Sequence, residues 1–371
     1  MTKKRLPGPP RFFTACLCMA VLVSCSIFSG CTAPNSQSSA QPLTGKGISV
    51  TDSIGNVITL PEVPSRIICQ NTRVVELFIV VGAGDQLVGV TDQTINNALF
   101  KKHLPNAQSI GNWQTPSTEK IFSLKPDLFV SYITSKPKNT DQLIKANITV
   151  MYIDAYILPK LPDDARKIGI ITGNEEKAEA YARFIERYLS LIQSRLNDLP
   201  ATSEKKVYAE LYSDYSAQGR GTQGDAVITL LHAKNIAGNL TAQSLIVSPE
   251  WVLDQDPDVI IKFASSPQSG NPALSTVYEK ILARPGFERL SAVRNHRVFV
   301  LSGDAVSTPR GIAGALYLAK ALYPDKFSDI DPQSVLHEYA EQFLPGSDQI
   351  DTFYPPLSAS GSGSRNTTEG G

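Results

Sequence analysis

The hydrophobic and polar positions of this chain repeat once at long range. Glu119-Lys-Ile-Phe-Ser-Leu-Lys-Pro-Asp-Leu-Phe-Val130 and Glu250-Trp-Val-Leu-Asp-Gln-Asp-Pro-Asp-Val-Ile-Ile261 agree position by position. Each reads glutamate, a variable residue, two apolar residues, three variable residues, Pro-Asp and three apolar residues. The pattern predicts a short helix that starts at the glutamate and stops before the proline, then a strand buried on both faces as in a parallel sheet. Ser248 and Pro249 supply an N-cap and a proline at the first helical position, and Ser117 and Thr118 hold the same places before Glu119. One α/β unit in each half implies two similar lobes, and two lobes imply a cleft.

The remaining pattern fills in both halves. Residues 47–60 read as a hairpin turning at Gly55-Asn56, followed by a strand at 66–69, a helix from about Thr72 to Val81 and a strand at 86–90. A helix near 140–146 and a strand at 148–153 complete a first lobe spanning 47–158. Ala178, Tyr181, Ile185, Leu189, Ile192, Leu196 and Leu199 keep three-to-four spacing, so 159–200 is expected to be a linking helix broken once at Gly173. The second lobe, 201–345, alternates strands at 206–211 and 297–301 with helices near 225–233, 276–282, 310–322 and 333–343. Strands and helices alternating at this spacing give largely parallel sheets covered by helices.

The ends change the picture of where the protein works. Lys3, Lys4, Arg5 and Arg11 precede an apolar run from Phe12 to Val23, too short to span a bilayer comfortably, so residues 1–30 read as a cleaved export signal. Phe28-Ser-Gly-Cys31 and Leu22-Val-Ser-Cys25 both resemble a lipoprotein box. Cys31 is favoured because a polar tether, 31–46, follows it directly; Cys25, with leucine three residues upstream, is the alternative. Residues 346–371 are expected to form a disordered tail, its end rich in Ser, Gly and Thr. Lys+Arg and Asp+Glu are equal over the whole chain, and loss of the four signal cations leaves a mildly acidic protein, which argues against nucleic acid as a partner. Of five cysteines only Cys31 and Cys69 lie beyond the signal, so no structural disulfide is expected.

Together these features resemble the substrate-binding lipoproteins of ABC importers for metal chelates, the family that handles ferric siderophores, haem and cobalamin. The resemblance spans roughly residues 47–345. It rests on the two repeats, Val50-Thr-Asp-Ser-Ile-Gly-Asn-Val57, Pro64-Ser-Arg-Ile67, Val81-Gly-Ala-Gly-Asp-Gln-Leu-Val-Gly-Val90, Ile168-Gly-Ile-Ile-Thr-Gly173 and Arg310-Gly-Ile-Ala-Gly-Ala-Leu-Tyr-Leu-Ala-Lys320. It implies an α/β fold of two Rossmann-like lobes with mainly parallel sheets, joined by one long rigid helix, with the ligand cleft between them. It also implies a monomeric, non-enzymatic receptor, lipid-anchored on the outer face of the cytoplasmic membrane, that serves an ABC permease and its ATPase. No covalent cofactor is implied; the cargo is a ferric siderophore, or alternatively cobalamin or haem. Glu119 and Glu250 match the family's lobe-tip glutamates, which dock onto permease arginines. An acidic residue in a first turn also simply complements the helix dipole, by a few tenths to about 1 kcal/mol.

Ligands of doubly wound sheets bind beyond the carboxyl ends of strands. That rule selects Arg73, Trp113, Tyr132, Tyr156, Tyr215, Arg220, Phe263 and Arg310 as candidate ligand contacts, with Tyr212 beside them. Aromatic faces suit a bulky chelate and arginines an anionic one, although core packing is an equal claim on any single aromatic. Gly219-Arg-Gly-Thr-Gln-Gly224 is formally GxGxxG but lacks the following acidic residue of a dinucleotide site, so it reads as a glycine-rich cleft loop. The four histidines, His103, His232, His296 and His337, have no metal-ligand spacing, so no protein-held metal site is expected. A surface scaffold or an extracellular enzyme on the same fold is the competing class. No nucleophile elbow or paired carboxylates support the enzyme.

Overall fold

The computed structural model describes residues 47–133, 136–200, 203–240, 244–267, 270–345 and 353–357. The export segment, Cys31 and Cys25, the tether up to residue 46, and 346–352 and 358–371 of the tail lie outside the described residues.

The expected hairpin opens the fold: β1 (Ile48–Thr51) and β2 (Val57–Leu60) pair antiparallel, and Gly55 takes φ 91° in the turn. The first lobe then builds β3 (Ile67–Cys69), β4 (Leu87–Val90), β5 (Gln108–Ser109), β6 (Leu128–Ser131) and β7 (Thr149–Tyr152). They form one parallel sheet in the order β5-β4-β3-β6-β7. The second lobe contributes β8 (Lys206–Glu210), β9 (Ser216–Gln218), β10 (Lys234–Asn235), β11 (Ser244–Ile246), β12 (Val259–Ala264), β13 (Val298–Ser302) and β14 (Phe353–Tyr354). β10, β8, β12 and β13 are mutually parallel. β9 joins β8, β11 joins β9 and β14 joins β13, each antiparallel. The fold is thus the α/β class read from the sequence, with mainly parallel central strands.

The sequence repeat is a repeat of side-chain work. Ser117 Oγ accepts Lys120 N–H at 3.3 Å, and Ser248 Oγ accepts Trp251 N–H at 3.1 Å. The two short helices, Thr118–Ser123 and Pro249–Gln255, give way at Lys125 (φ 46°) and Asp256 (φ 38°), each just before the proline. The aspartate after it then tethers the neighbouring strand: Asp127 Oδ2 accepts Arg66 N–H at 2.9 Å, and Asp258 Oδ2 accepts Lys206 N–H at 2.8 Å. The cation at that strand start reaches back to the helix end, Arg66 to Leu124 O at 2.6 Å and Lys206 to Gln255 O at 2.8 Å. The consequence is the same register in both lobes, Ile67 opposite Leu128 and Val207 opposite Val259.

Between the lobes run two helices, Leu161–Thr172 and Glu175–Leu196, separated by Gly173 in the left-handed region (φ 70°), where glycine carries no Cβ penalty. The second, 22 residues, is about 33 Å long. Arg166 binds Glu179 and Glu186 and so fastens one helix to the other. Tyr181 Oη donates to Pro309 O at 2.7 Å, and Arg195 forms a fork on Asp329 at 2.6 and 2.8 Å, so the long helix is fixed to the second lobe.

One sequence expectation fails here. Phe353–Leu357, read as part of a disordered tail, is ordered on the second lobe: Phe353 stacks on Tyr317 with centroids 4.7 Å apart and planes 9° apart. Tyr317 Oη donates to Pro355 O at 2.7 Å, and Tyr354 meets Tyr278 edge-on at 5.2 Å. Aromatic burial holds the segment in place, and pairing with β13 covers what would otherwise be an open sheet edge.

Candidate ligand-binding cleft

Residues that follow strand ends in both lobes surround one cavity of about 560 Å³. On the first lobe, Asn71 Oδ1 accepts Arg73 N–H at 2.9 Å and starts the helix Thr72–Val80. Thr72, Arg73 and Glu76 then share the helix face that lines the cavity. Trp113 sits in a turn closed by pairing of Gly111 with Pro116, its ring 5.7 Å from Tyr132, just past β6. Tyr156 follows β7. The second lobe supplies Tyr212 after β8, the glycine-rich loop 221–223, and Asp304, Thr308 and Arg310 after β13.

The electrostatics are more balanced than the sequence suggested. Arg310 is almost wholly buried (2% exposed) and its Nη1 lies 2.5 Å from Glu76 Oε2, while Glu76 Oε1 accepts from Tyr339 Oη at 2.8 Å. Burial pushes the Glu76 carboxyl above its usual range against the pull of Arg310 and Tyr339. Asp304 stands 3.5 Å from Arg310 Nη2. The charge of Arg310 is therefore met within the protein, which also answers its unfavourable place at the head of the helix Gly311–Leu322. Arg73 forms no ion pair among the described residues; its Nε donates to Ser307 Oγ across the cleft at 3.3 Å. Among the described residues lining the cavity, Arg73 is the cation without an acidic partner.

Of the candidates named from sequence, Arg73, Trp113, Tyr132, Tyr156, Tyr212 and Arg310 come together around the cavity. Three do not reach it. Tyr215, at φ 59°, turns away to pack on Phe287 and under the Arg284 guanidinium at 4.5 Å. Phe263 is buried in the core, and Arg220 is exposed, donating to Gly238 O at 3.1 Å. Sequence reasoning missed Glu76, Gln93, Asn97 and Phe100, all of which line the cavity. Glu76 lies one turn beyond Arg73, and the others follow the carboxyl end of β4, so both signals were present. The glycine-rich loop connects β9 to the helix Gln223–Leu230, and β9 is antiparallel to β8, unlike the parallel strand of a dinucleotide site. Cys69 is buried below, its thiol pushed up to about 12 by burial, and is unreactive. Glu119 and Glu250 are both exposed, each in the first turn of its helix; the Glu250 carboxyl is held below its usual range by its own backbone N–H and the Ser248 hydroxyl.

Beneath the second wall lies a buried charge network. Glu210 (1% exposed) meets Arg284 at 2.8 Å and Lys262 at 2.5 Å. Burial pushes its carboxyl up, but Arg284 and then Lys262 outweigh it and hold the group below its ordinary value. A depressed carboxylate stabilises the fold above its unfolded-state pKa and loses that contribution as pH falls through the folded value. The Glu210 contribution should therefore be constant above about pH 6 and fall below about pH 4. In urea titrations Glu210→Gln should flatten that acid limb, and an unchanged limb would contradict the assignment.

Two lobes built on mainly parallel central strands are joined by helices and share a cavity between them. The chain belongs to the periplasmic binding protein family, whose model matches residues 67–305. Proteins of this family are non-enzymatic solute carriers, and this one is the substrate-binding component of an ABC transporter. It is 27% identical over 321 residues, 84% of this chain and 97% of the relative, to YvrC of Bacillus subtilis, an uncharacterised ABC transporter substrate-binding lipoprotein. It is 25% identical to the vitamin B12-binding protein of Pectobacterium atrosepticum, over 62% of this chain and 87% of the other. The crystal structure of the molybdate-bound MolA of Haemophilus influenzae superposes with a TM-score of 0.69 at 21% identity, covering 82% of this chain and 99% of MolA. That likeness carries the fold alone.

Proposed function

We propose that this protein captures a metal chelate in the inter-lobe cavity, a ferric siderophore above all, and hands it to an ABC permease at the membrane. The observation that carries the reading is the cavity itself. At about 560 Å³ it falls within the range of small-molecule sites and far exceeds what a tetrahedral oxyanion such as molybdate fills. Trp113, Tyr132, Tyr156 and Tyr212 offer flat apolar faces, and Arg73 is a guanidinium without an acidic partner among the described residues. A bulky chelate of low negative charge satisfies both features. The relationship to a substrate-binding lipoprotein supports an extracytoplasmic position, with Cys31, or alternatively Cys25, as the lipidated residue.

Equilibrium dialysis of the soluble protein from residue 45 against ferric hydroxamates, ferric catecholates, cobalamin, haem and molybdate tests the proposal. Retention of a ferric chelate at micromolar or lower concentration supports it; retention of cobalamin or molybdate alone would replace the cargo, and retention of none would overturn it. Arg73→Ala should weaken binding of the retained chelate about 10–100-fold, the usual cost of losing a charge-assisted hydrogen bond. An unchanged Kd would remove Arg73 from the site.

A further inference from the structure

We infer that Lys262 and Gln70, buried side chains that do not line the cavity, are positioning residues that fix the aromatic wall of each lobe before cargo arrives. This rests on the cleft being the cargo site. Lys262 is 3% exposed. Its ammonium is held by Glu210 and lies within hydrogen-bond distance of three successive carbonyls, Leu211 at 2.9 Å, Tyr212 at 3.2 Å and Ser213 at 3.1 Å. Three carbonyls converging on one buried cation set the path of the turn that carries Tyr212 into the cavity. Tyr212, an exposed residue, rests its ring on Gly303: a Cβ there would stand 2.5 Å from Tyr212 Oη. On the other lobe Gln70 (1% exposed) accepts from Ser131 Oγ at 2.8 Å and donates to Trp113 O at 2.5 Å. The end of β6 is thereby tied to the turn that presents Trp113. Each wall has its own buried tie, and preorganised walls bind without first losing loop entropy.

Lys262→Met leaves Glu210 paired with Arg284, so the variant retains a compensated carboxylate. Hydrogen exchange on the cargo-free protein should show amides 211–216 exchanging at least tenfold faster in Lys262→Met, with β13 amides unchanged. In Gln70→Ala combined with Trp251→Phe, acrylamide should quench Trp113 more strongly than in Trp251→Phe alone. Unchanged exchange at 211–216, acceleration spread evenly through the second lobe, or unchanged Trp113 quenching would overturn the inference whatever the cargo is. Against ferrioxamine B, a ferric trihydroxamate, Lys262→Met should lower affinity in the wild-type background but add nothing to Tyr212→Ala. Additive losses would show that Lys262 does not act through Tyr212. If ferrioxamine B fails to bind the wild type, the cargo proposal is what suffers, and the two cargo-free measurements decide the positioning role.

Discussion

Arg310→Met should lower unfolding stability by about 3–5 kcal/mol, the cost of leaving a buried carboxylate without its counter-charge. Glu76 and Arg310 are 1% and 2% exposed, so solvent compensates a lost partner poorly. The pair also joins the lobes. Glu76 lies on the helix Thr72–Val80 of the first lobe, Arg310 heads the helix Gly311–Leu322 of the second, and Tyr339 from the helix Pro332–Phe343 holds the other carboxylate oxygen. Glu76→Gln should be milder, since the amide keeps one acceptor and Asp304, 3.5 Å from Arg310, still meets the guanidinium charge. The double variant should recover much of the Arg310→Met loss, because an uncharged pair has no unpaired buried charge. Urea unfolding of the four proteins reads this cycle. Losses below about 1 kcal/mol in Arg310→Met would mean that the pair is not the interlobe tie described here.

The largest functional effect is expected at the lobe tips. Glu119→Arg together with Glu250→Arg should abolish transport while leaving cargo affinity unchanged. Both carboxylates are exposed, occupy matching positions of the repeat and lie outside the cavity lining. Their helices, six and seven residues long, are short, and loss of a first-turn acid costs each at most about 1 kcal/mol. The fold therefore tolerates the change. We propose that the two carboxylates meet arginines on the permease, as the family resemblance implies; reversing them turns attraction into repulsion, which costs several kcal/mol at an interface. Uptake in cells carrying the double variant, beside the Kd of the purified protein, separates docking from binding. A weakened Kd, or normal uptake, would defeat the docking role.

Much of this was legible because the informative interactions are local. The repeat announces itself through N-cap serines, prolines and three-residue apolar runs, each a short-range constraint. The break at Gly173 is visible because only glycine sits easily at φ 70° between two helices. What escaped is non-local. β9, β11 and β14 are two or three residues long, with no periodicity to detect, and exist because a partner strand is already in place. Phe353–Tyr354 looked like tail until Tyr317, far earlier in the chain, offered its ring. In the site, the rule of strand ends found the right loops but not the direction of each side chain. Lys262 and Phe263 are neighbours in β12 and so point to opposite faces, which separates the tie under Tyr212 from a core phenylalanine. Of the three arginines read into the cleft, Arg220 lies outside it and Arg310 is met by Glu76, which was overlooked one helical turn from Arg73.

Cargo that enters the cavity between the lobes meets Trp113, whose fluorescence therefore reports on it. Trp113 lines the cavity, whereas Trp251 packs against Tyr208 in the second lobe with centroids 6.4 Å apart. Fluorescence titration with a ferric siderophore should give saturable quenching in the wild type and in Trp251→Phe, and almost none in Trp113→Phe. Quenching that survives in Trp113→Phe and vanishes in Trp251→Phe would place the cargo outside this cavity.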